Sequence, residues 1–350
     1  MLNIIAAVLV FGLIVLVHEF GHFLLAKLNG IGVVEFSIGM GPRLLSWQGK
    51  ETRYSIKILP FGGSCMMLGE DEDASDPRAF NNKPVFSRIL VVAAGPVFNF
   101  LLAFLLAMIL VGTTGRATAR VADVQEGYPA QAAGIQAGDV ITRVNGRSVH
   151  SYQDFSFYLY THPNRELAVT WKRQGEDGRT QTMKASITPM YSQETGQYLA
   201  GVVFDARLYP AEGFFQLMLQ SVYEVQFWIR YVLDSFYMMF HGMVSMDDLS
   251  GPVGIVSTID TTVEEASPYG MGAVLLMLIN FSILLNANLG ALNLFPLPAL
   301  DGGRLVFLFL ELIRGKPIDK ELEGRVHMLG LLILLALMVL ILFNDVRKLI

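Results

Sequence analysis

The sequence contains little cysteine and little charge. Cys65 is the only cysteine in 350 residues, so no intrachain disulfide can form and no cluster of thiolates can hold a metal. Asp, Glu, Lys and Arg make up only 16% of the chain, whereas 53% of its residues are hydrophobic. This composition is too apolar for an ordinary soluble enzyme and predicts a membrane protein.

Basic stripes and nucleotide motifs are also missing. The formal net charge is -5, and no arginine-rich stretch occurs that could follow a phosphate backbone, so nucleic acid is not expected as a partner. No nucleotide-binding motif and no internal repeat is recognised, so no nucleotide is expected either. The expected surroundings are instead the lipid bilayer.

Four segments are apolar enough to cross a membrane, which takes about 20 residues per helix. The third has no Asp, Glu, Lys or Arg from Ala266 through Leu300, although Pro296 and Pro298 must interrupt any helix near its end. The first lacks the basic start and the cleavage site of a signal peptide, so we expect it to be retained. The four segments are residues 2–26, 89–111, 271–300 and 326–343.

Lysine and arginine predict the orientation of the chain. Eight of them lie from Lys27 to Arg88 and five from Arg304 to Arg325, so both loops should be cytoplasmic. The long segment between the second and third spans, and both termini, should then face outward. Residues 214–244 are apolar but contain Glu224, Arg230 and Asp234, which favours a helix lying flat in the membrane interface.

The end of the first span carries a metal motif, 18-HEFGH-22. On a helix, His18 and His22 project from one face about one turn apart, so both imidazoles can reach a single zinc ion. In such motifs the glutamate, here Glu19, takes a proton from the attacking water and passes it to the leaving amine. The alternative is a pair of polar residues at a helix packing interface, but ionisable residues inside a membrane segment are functional by default.

A catalytic zinc site needs three protein ligands, so one further ligand is required. Asp301 is the best candidate, because it is the first charge after the uncharged stretch and is predicted at the same membrane depth as His22. His327 is the alternative. The other three histidines, His150, His162 and His241, are predicted to be surface residues.

Two further segments carry predictions. Gly95, Pro96 and Asn99 should loosen or kink the second span, and a structural role for Asn99 against the first span is favoured over catalysis. Residues 33–68 are glycine-rich with alternating stretches and predict a β-hairpin, followed by a solvated linker at residues 69–84.

Residues 116–205 are more polar, and turn signals separate short alternating runs, which predicts a small mixed α and β domain. The stretch 127-GYPAQAAGIQAGDVITRVNG-146 resembles the PDZ pattern of bacterial proteases. By the same resemblance, 198-YLAGVVF-204 is the loop and strand that would receive a peptide, with Leu199 and Gly201 as binding residues. The domain either binds peptide ends or excludes large substrates by size, and the lack of a charged pocket favours the second.

Together, HEFGH in the first span, 95-GPVFNF-100 in the second and 293-NLFPLPALDGG-303 in the third resemble the site-2 proteases, most closely the bacterial branch with a single PDZ domain. The resemblance covers nearly the whole chain. It implies a polytopic α-helical membrane protein with four transmembrane helices, a membrane-associated β-hairpin and an inserted extracytoplasmic PDZ domain. It also implies a multi-pass protein of the bacterial cell membrane, with its active site near the cytoplasmic side.

The resemblance implies one catalytic Zn²⁺, with His18, His22 and Asp301 as ligands and Glu19 as the catalytic base. Substrate-binding residues would be Asn293 and Pro296, together with Gly39 and Gly41 of the hairpin. The implied substrates are single-span transmembrane proteins, namely an anti-sigma factor after a first protease has trimmed it, and leftover signal peptides.

The predicted boundaries follow from these assignments. They are residues 1–28 (first span), 29–86 (hairpin and acidic linker), 87–112 (second span), 113–208 (PDZ domain), 209–268 (interfacial helix and connector), 269–303 (third span), 304–325 (cytoplasmic loop) and 326–350 (fourth span).

Two other classes of function remain open. A membrane scaffold or chaperone would use the PDZ domain, with a metal site that is lost or structural. Glu19 argues against this, because a structural zinc site needs a fourth protein ligand rather than a general base. A transporter would also place polar residues at broken helices, but the sequence shows no inverted repeat.

Overall fold

The computed structural model describes residues 2–70, 74–244 and 251–349. Parts of the predicted acidic linker and of the predicted connector, residues 71–73 and 245–250, lie outside these ranges. The chain forms two compact units. We call residues 1–106 with 242–350 the membrane unit, and residues 107–241 the β-rich unit.

Four helices are long and apolar enough to cross a membrane. The candidate spans within them are Ala6–Leu28, Val85–Thr114, Met271–Leu294 and Lys320–Lys348. Helices satisfy all internal backbone hydrogen bonds within the segment, which is what the hydrocarbon core requires. In length and composition these helices are consistent with the membrane protein that the sequence predicts. The complete helices are α1 (Leu2–Leu28), α2 (Val85–Thr114), α7 (Met271–Leu294) and α9 (Lys320–Leu349).

Helix α2 contains Pro96 but continues through it from Val85 to Thr114. Proline has no N–H group, so the carbonyl of Val92 lacks its usual helical donor. Although this hydrogen bond is lost, the helix is not broken at Gly95 and Pro96.

The helix of the third span ends just before the prolines that were predicted to interrupt it, although the predicted boundary of the span was residue 303. Helix α7 stops at Leu294, and Asp301 begins a separate helix, α8 (Asp301–Arg314), in place of the predicted end of a span and the start of a cytoplasmic loop. Pro296 and Pro298 cannot continue α7, whereas an acidic residue in the first turn of α8 is favourable at the positive end of a helix dipole.

The predicted hairpin consists of β1 (Val33–Gln48) and β2 (Arg53–Met67), which pair antiparallel. Gly39 and Gly41 have φ values of 84° and 85°, a region that favours glycine, and they bend β1 in its middle. A Cβ atom at Gly39 would lie 2.4 Å from the carbonyl oxygen of Leu59. Beyond the bend, Arg43 donates to Glu35 and lowers the pKa of that carboxyl to about 2.

One hydrophobic core joins the hairpin to α1, α2 and α8. Its buried members come from segments far apart in the chain, so their burial fixes these four elements together. The core contains Ala26, Ile31, Val33, Met67, Phe80, Ile89, Val91, Val92, Leu305 and Leu308.

A further helix of the membrane unit, α6 (Pro252–Ala266), lies in what was predicted as a connector. Asp345 of α9 accepts hydrogen bonds from the backbone N–H groups of Gly251 and Gly254, at 2.9–3.1 Å. Asp345 is only 3% exposed, so it acts as an N-terminal cap supplied by a distant helix. A carboxylate suits the positive end of the α6 dipole.

The β-rich unit contains a four-stranded antiparallel sheet in the order β6-β5-β7-β8. A second pairing joins β4 to β11, and two helices cover the core, α3 (Pro129–Ala132) and α4 (Tyr152–Thr161). The largest fully buried side chains are those of Trp171 and Phe155. The strands of these pairings are β4 (Val121–Val124), β5 (Val140–Val144), β6 (Arg147–Ser148), β7 (Leu167–Gln174), β8 (Thr180–Ile187) and β11 (Val202–Phe204).

The remaining strands of the β-rich unit are short. β3 pairs with β12, and β9 pairs with β10, both antiparallel. Their bounds are β3 (Arg116–Ala117), β9 (Met190–Ser192), β10 (Gln197–Leu199) and β12 (Leu208–Tyr209).

Helix α5 (Phe214–Phe240), predicted to lie in the membrane interface, belongs to the β-rich unit and packs one face on the rest of that unit. Arg116 donates to Glu224 at 3.0 Å, and Arg147 lies 2.7 Å from Asp234. Since Arg116 and Glu224 are both buried, removing one partner should cost about 3–5 kcal/mol. This face of α5 is therefore not available to lipid.

Two of the predicted surface histidines are partly enclosed in the β-rich unit. The His150 ring stacks on Tyr223 with 3.6 Å between centroids, and the His162 ring stacks on Tyr158 at 4.1 Å. Burial lowers the pKa of both histidines, so their neutral rings suit these stacks. The prediction of exposure holds for His241 alone.

Candidate metal centre

The two histidines of the HEFGH motif lie on one face of α1, because residues four apart in a helix lie nearly one turn apart. Both side chains are buried, at 8% exposure each. Their Nε2 atoms lie 3.2 Å apart. Two imidazole nitrogens thus converge near the end of a largely apolar helix.

Asp301 approaches from the start of α8. Its Oδ2 atom lies 3.1 Å from Nε2 of His18 and 3.5 Å from Nε2 of His22. The three side chains form a group whose potential ligand atoms all lie within 4.8 Å of one another. In the part of the chain that the structure describes, Oδ2 of Asp301 is buried without a hydrogen bond of acceptable geometry.

The loop before Asp301 is held by close backbone packing. A Cβ atom at Gly302 would lie 2.0 Å from the carbonyl oxygen of Phe295, and one at Gly303 would lie 2.4 Å from that of Leu297. Only glycine therefore lets α8 begin directly against the end of α7. The 301-DGG-303 sequence combines a charged group with the two residues that allow its placement.

Other contacts fix α8 and its loop. His327, the alternative ligand, instead accepts the backbone N–H of Ala299 on its Nδ1 atom at 2.9 Å. Ala299 has a φ of 72°, which is uncommon for a residue with a side chain. His327 thus contacts the loop that presents Asp301. Ion pairs join α8 to preceding segments through Arg304 with Glu70 and Glu311 with Arg88.

The second nitrogen of His22 determines which tautomer it adopts. Its Nδ1 atom lies 2.9 Å from the carbonyl oxygen of Val91. A carbonyl can only accept, so Nδ1 must carry the proton, and the neutral ring then points the Nε2 lone pair toward Asp301. The lone pair and the carboxylate oxygen repel each other unless a cation lies between them.

This donor set fits zinc. Two imidazole nitrogens and one carboxylate oxygen form the three-ligand set of a catalytic zinc site, which leaves a fourth position for water or substrate. The hydrogen bond from His22 to a backbone carbonyl is the usual arrangement behind a metal-binding histidine. Buried carboxylate oxygens with no hydrogen bond are expected where an ion supplies the missing partner.

Gly95 of α2 faces the two histidines directly. A Cβ atom at this position would lie 2.3 Å from Nε2 of His22 and 2.7 Å from Nε2 of His18. The absence of a side chain therefore leaves the space in which the ligand atoms converge. The sequence signal was available, because glycine inside a helix costs about 1 kcal/mol relative to alanine and needs a compensating reason.

Glu19 lies between the histidines and β2. A Cβ atom at Gly63 would lie 3.0 Å from Cγ of Glu19, so this strand passes directly over the glutamate. Among the described residues, the half-buried carboxylate of Glu19 has no ion pair or hydrogen bond. Sequence reasoning missed Gly63 as the hairpin residue beside it.

The predicted substrate-binding residues occupy three different places. Asn293 is half-buried in the last turn of α7, and Pro296 is exposed in the loop after it. Gly39 and Gly41 form the bend of β1, which accounts for glycine at both positions.

The other two predicted binding residues lie in the β-rich unit. Leu199 ends β10, and Gly201 precedes β11 with a φ of 80°. A Cβ atom at Gly201 would lie 2.1 Å from Cβ of Tyr128, so the Tyr128 side chain packs on this loop. The geometry at Gly201 is explained by internal packing.

A comparison with family models identifies one family. The model of peptidase family M50 matches residues 6–337. A candidate zinc metalloprotease of Clostridium acetobutylicum is 39% identical over 345 residues, which cover 98% of this chain and 97% of that protein. The regulator of sigma-W protease RasP of Bacillus subtilis is 28% identical over an alignment of 430 positions, which covers 99% of each chain. The solved PDZ domain of an SdrC-like protein of Listeria innocua aligns with 26% of this chain over 96% of its own length, at 25% identity and a TM-score of 0.23.

Proposed function

The chain belongs to peptidase family M50 and is a site-2 type zinc metalloprotease, and from that premise we propose that it hydrolyses peptide bonds within transmembrane segments of single-span proteins. The observation that carries the proposal is the convergence of His18, His22 and Asp301 beside Glu19, at the end of an apolar helix. A protease site in a membrane-spanning helix is suited to a substrate that also spans the membrane.

We assign His18, His22 and Asp301 as the ligands of one zinc ion, which when bound acts as a Lewis acid that makes water nucleophilic at neutral pH. Glu19 accepts a proton from the attacking water and transfers it to the leaving amine. The lack of a partner for its carboxylate among the described residues supports this role. His22 keeps its Nε2 lone pair toward the site through its bond to Val91.

The substrate must be extended before it can be cut, since an intact helix shields its own peptide bonds. Residues 63–67 of β2 pair with β1, and Gly63 lies beside Glu19. We propose that the substrate adds as a strand at this edge, so that its backbone groups find partners. Asn293 and Pro296, at the end of α7, are proposed to contact the same extended segment.

An anti-sigma factor trimmed by a first protease is the proposed substrate, together with leftover signal peptides. The name of the Bacillus relative, regulator of sigma-W protease, supports a substrate that controls a sigma factor. We propose that the β-rich unit is a PDZ domain that excludes substrates with large outer parts. In this proposal the PDZ domain and both termini are extracytoplasmic, and the metal centre lies near the cytoplasmic side of the bacterial cell membrane.

The first test is cleavage of a single-span reporter reconstituted with the purified protein in lipid vesicles. We expect products whose new ends, located by mass spectrometry, lie within the reporter span. Chelation of zinc should stop cleavage, and stoichiometric Zn²⁺ should restore it, because the reaction depends on the ion that the three ligands hold. One zinc per chain without any cleavage would contradict the proposal and favour a scaffold with a structural metal.

The proposed size filter has its own test. Two reporters share one span, but one carries a folded outer domain and the other a short outer tail. We expect the short form to be cut at least about tenfold faster, and a protease site inserted beside the span should convert the slow reporter into the fast one. Equal rates for the two reporters would contradict the size filter, but they would not affect the assignment of the metal centre.

A further inference from the structure

Three residues of α2 spaced by four form a continuous face against the two histidines. Val91 provides the carbonyl that binds His22, and Gly95 provides the space for both Nε2 atoms. The third is Asn99, whose amide lies 3.1 Å from Nδ1 of His18. Residues four apart share a helix face, so all three contacts come from one side of α2.

Asn99 is fully buried, at 0% exposure, inside a membrane-spanning helix. An amide group in such a place is costly unless it is hydrogen-bonded. Among the described residues it has one partner, the Nδ1 atom of His18, and its other amide end has none. The metal centre is thus the one place where the polarity of Asn99 is used.

The amide can contact His18 in two ways. If Nδ2 of Asn99 donates to Nδ1, a neutral His18 carries its proton on Nε2, which points at Asp301 and cannot then bind a metal. If Oδ1 of Asn99 accepts from Nδ1–H, the Nε2 lone pair points into the site. A half-turn of the amide exchanges the two without moving any other heavy atom. One amide end lacks a partner in both cases, so the state of His18 decides between them.

We propose that Asn99 is a positioning residue for zinc, whose side-chain oxygen accepts the Nδ1 proton of His18 and so holds Nε2 ready to bind the ion. The same arrangement already exists for His22, where the acceptor is the carbonyl of Val91. Helix α2 thereby fixes both histidines in the metal-binding tautomer, one through its backbone and one through a side chain. This inference rests on the proposed zinc ligands.

Acceptors behind metal-binding histidines typically change metal affinity by about 10- to 100-fold when removed. The proposal distinguishes two substitutions of Asn99, because the His18 ring needs only a hydrogen-bond acceptor. Asn99→Asp keeps an acceptor oxygen in nearly the same shape, whereas Asn99→Leu removes it at similar volume. If the Asn99 side chain served only packing, the leucine variant should bind zinc as well as wild type, because leucine suits an apolar helix.

The test measures zinc affinity by competition with a chromogenic chelator, using the full-length protein in detergent. We expect Asn99→Leu to weaken zinc binding about 10- to 100-fold and Asn99→Asp to remain within about threefold of wild type. Asn286→Leu is the matched control, since Asn286 is also 0% exposed on an apolar helix but donates to the carbonyl of Ser282. It should bind zinc as wild type does.

Three results would overturn the inference. Equal affinity of wild type and Asn99→Leu would show that the acceptor is not used, while the zinc site itself stood. Loss of affinity in Asn99→Asp as large as in Asn99→Leu would show that the amide donates. A wild-type protein that holds no zinc would remove both this inference and the proposed function, and this result is recognised before any variant is compared. Gel filtration of each variant separates these results from misfolding.

Discussion

The Glu19→Gln variant is expected to retain one zinc per chain and to lose cleavage of the single-span reporter by about 10²- to 10⁴-fold, the usual contribution of a general base. Glutamine has nearly the same size and shape as glutamate but cannot accept a proton from water at neutral pH. The side chain has no hydrogen bond or ion pair among the described residues, so the substitution should disturb little else. The measurement is the initial rate of reporter cleavage, with zinc determined in the same sample.

The matched control for this variant is Glu51→Gln. Glu51 lies in the turn between β1 and β2 and pairs with Lys27 on the surface. An exposed pair of this kind contributes little to stability, so activity should be unchanged. If Glu19→Gln cut as fast as wild type, another group would have to be the base. If it lost zinc, Glu19 would have to act through the metal ligands instead.

Local features of the sequence were enough to predict the apolar helices. Hydrophobic length is a property of each segment alone, so the four candidate spans could be located without any tertiary information. The i,i+4 spacing likewise placed His18 and His22 on one face of a helix. The end of α7 could also be anticipated, because Pro296 and Pro298 cannot continue a helix.

Helix α8 was not predicted, and the reason is physical. It is only 14 residues long and begins directly after the proline-containing loop. Its apolar face, with Leu305 and Leu308, is buried only because α1, α2 and the hairpin form a common core around it. Such a helix depends on tertiary packing more than on its own propensity. Its prediction would have required the positions of those other elements.

The roles of α5 and of the glycines around the metal centre also depend on the positions of other segments. The polar residues of α5 suggested a helix at the membrane interface, but Glu224 and Asp234 bind arginines of the β-rich unit. A charge in an apolar helix does not reveal whether its partner is water or another segment. Gly63 and Gly95 leave space for neighbouring atoms because they have no side chain, so their roles depend on the atoms that face them.

The Gly95→Ala variant should lose zinc, although alanine is the better helix former. By propensity alone the substitution in α2 favours the helix by about 1 kcal/mol. The added methyl group, however, would lie 2.3 Å from Nε2 of His22 and 2.7 Å from Nε2 of His18, closer than carbon and nitrogen can approach. Both rings are buried, so one of them must turn away from the shared position. We expect zinc content, measured on the purified protein, to fall at least about tenfold, and cleavage to fall with it.

Gly112→Ala in the same helix provides the control that separates propensity from geometry. Its added methyl group would meet only Leu217, at the ordinary contact distance of 3.7 Å. The gain in helix propensity is therefore present without the clash, and zinc content and cleavage should equal those of wild type. If Gly95→Ala also bound zinc normally, the histidines could not lie against α2 as described, and the three-ligand centre would have to be assigned elsewhere. If only Gly95→Ala lost the metal, the effect would have to come from the space at that glycine, because both substitutions favour the helix equally.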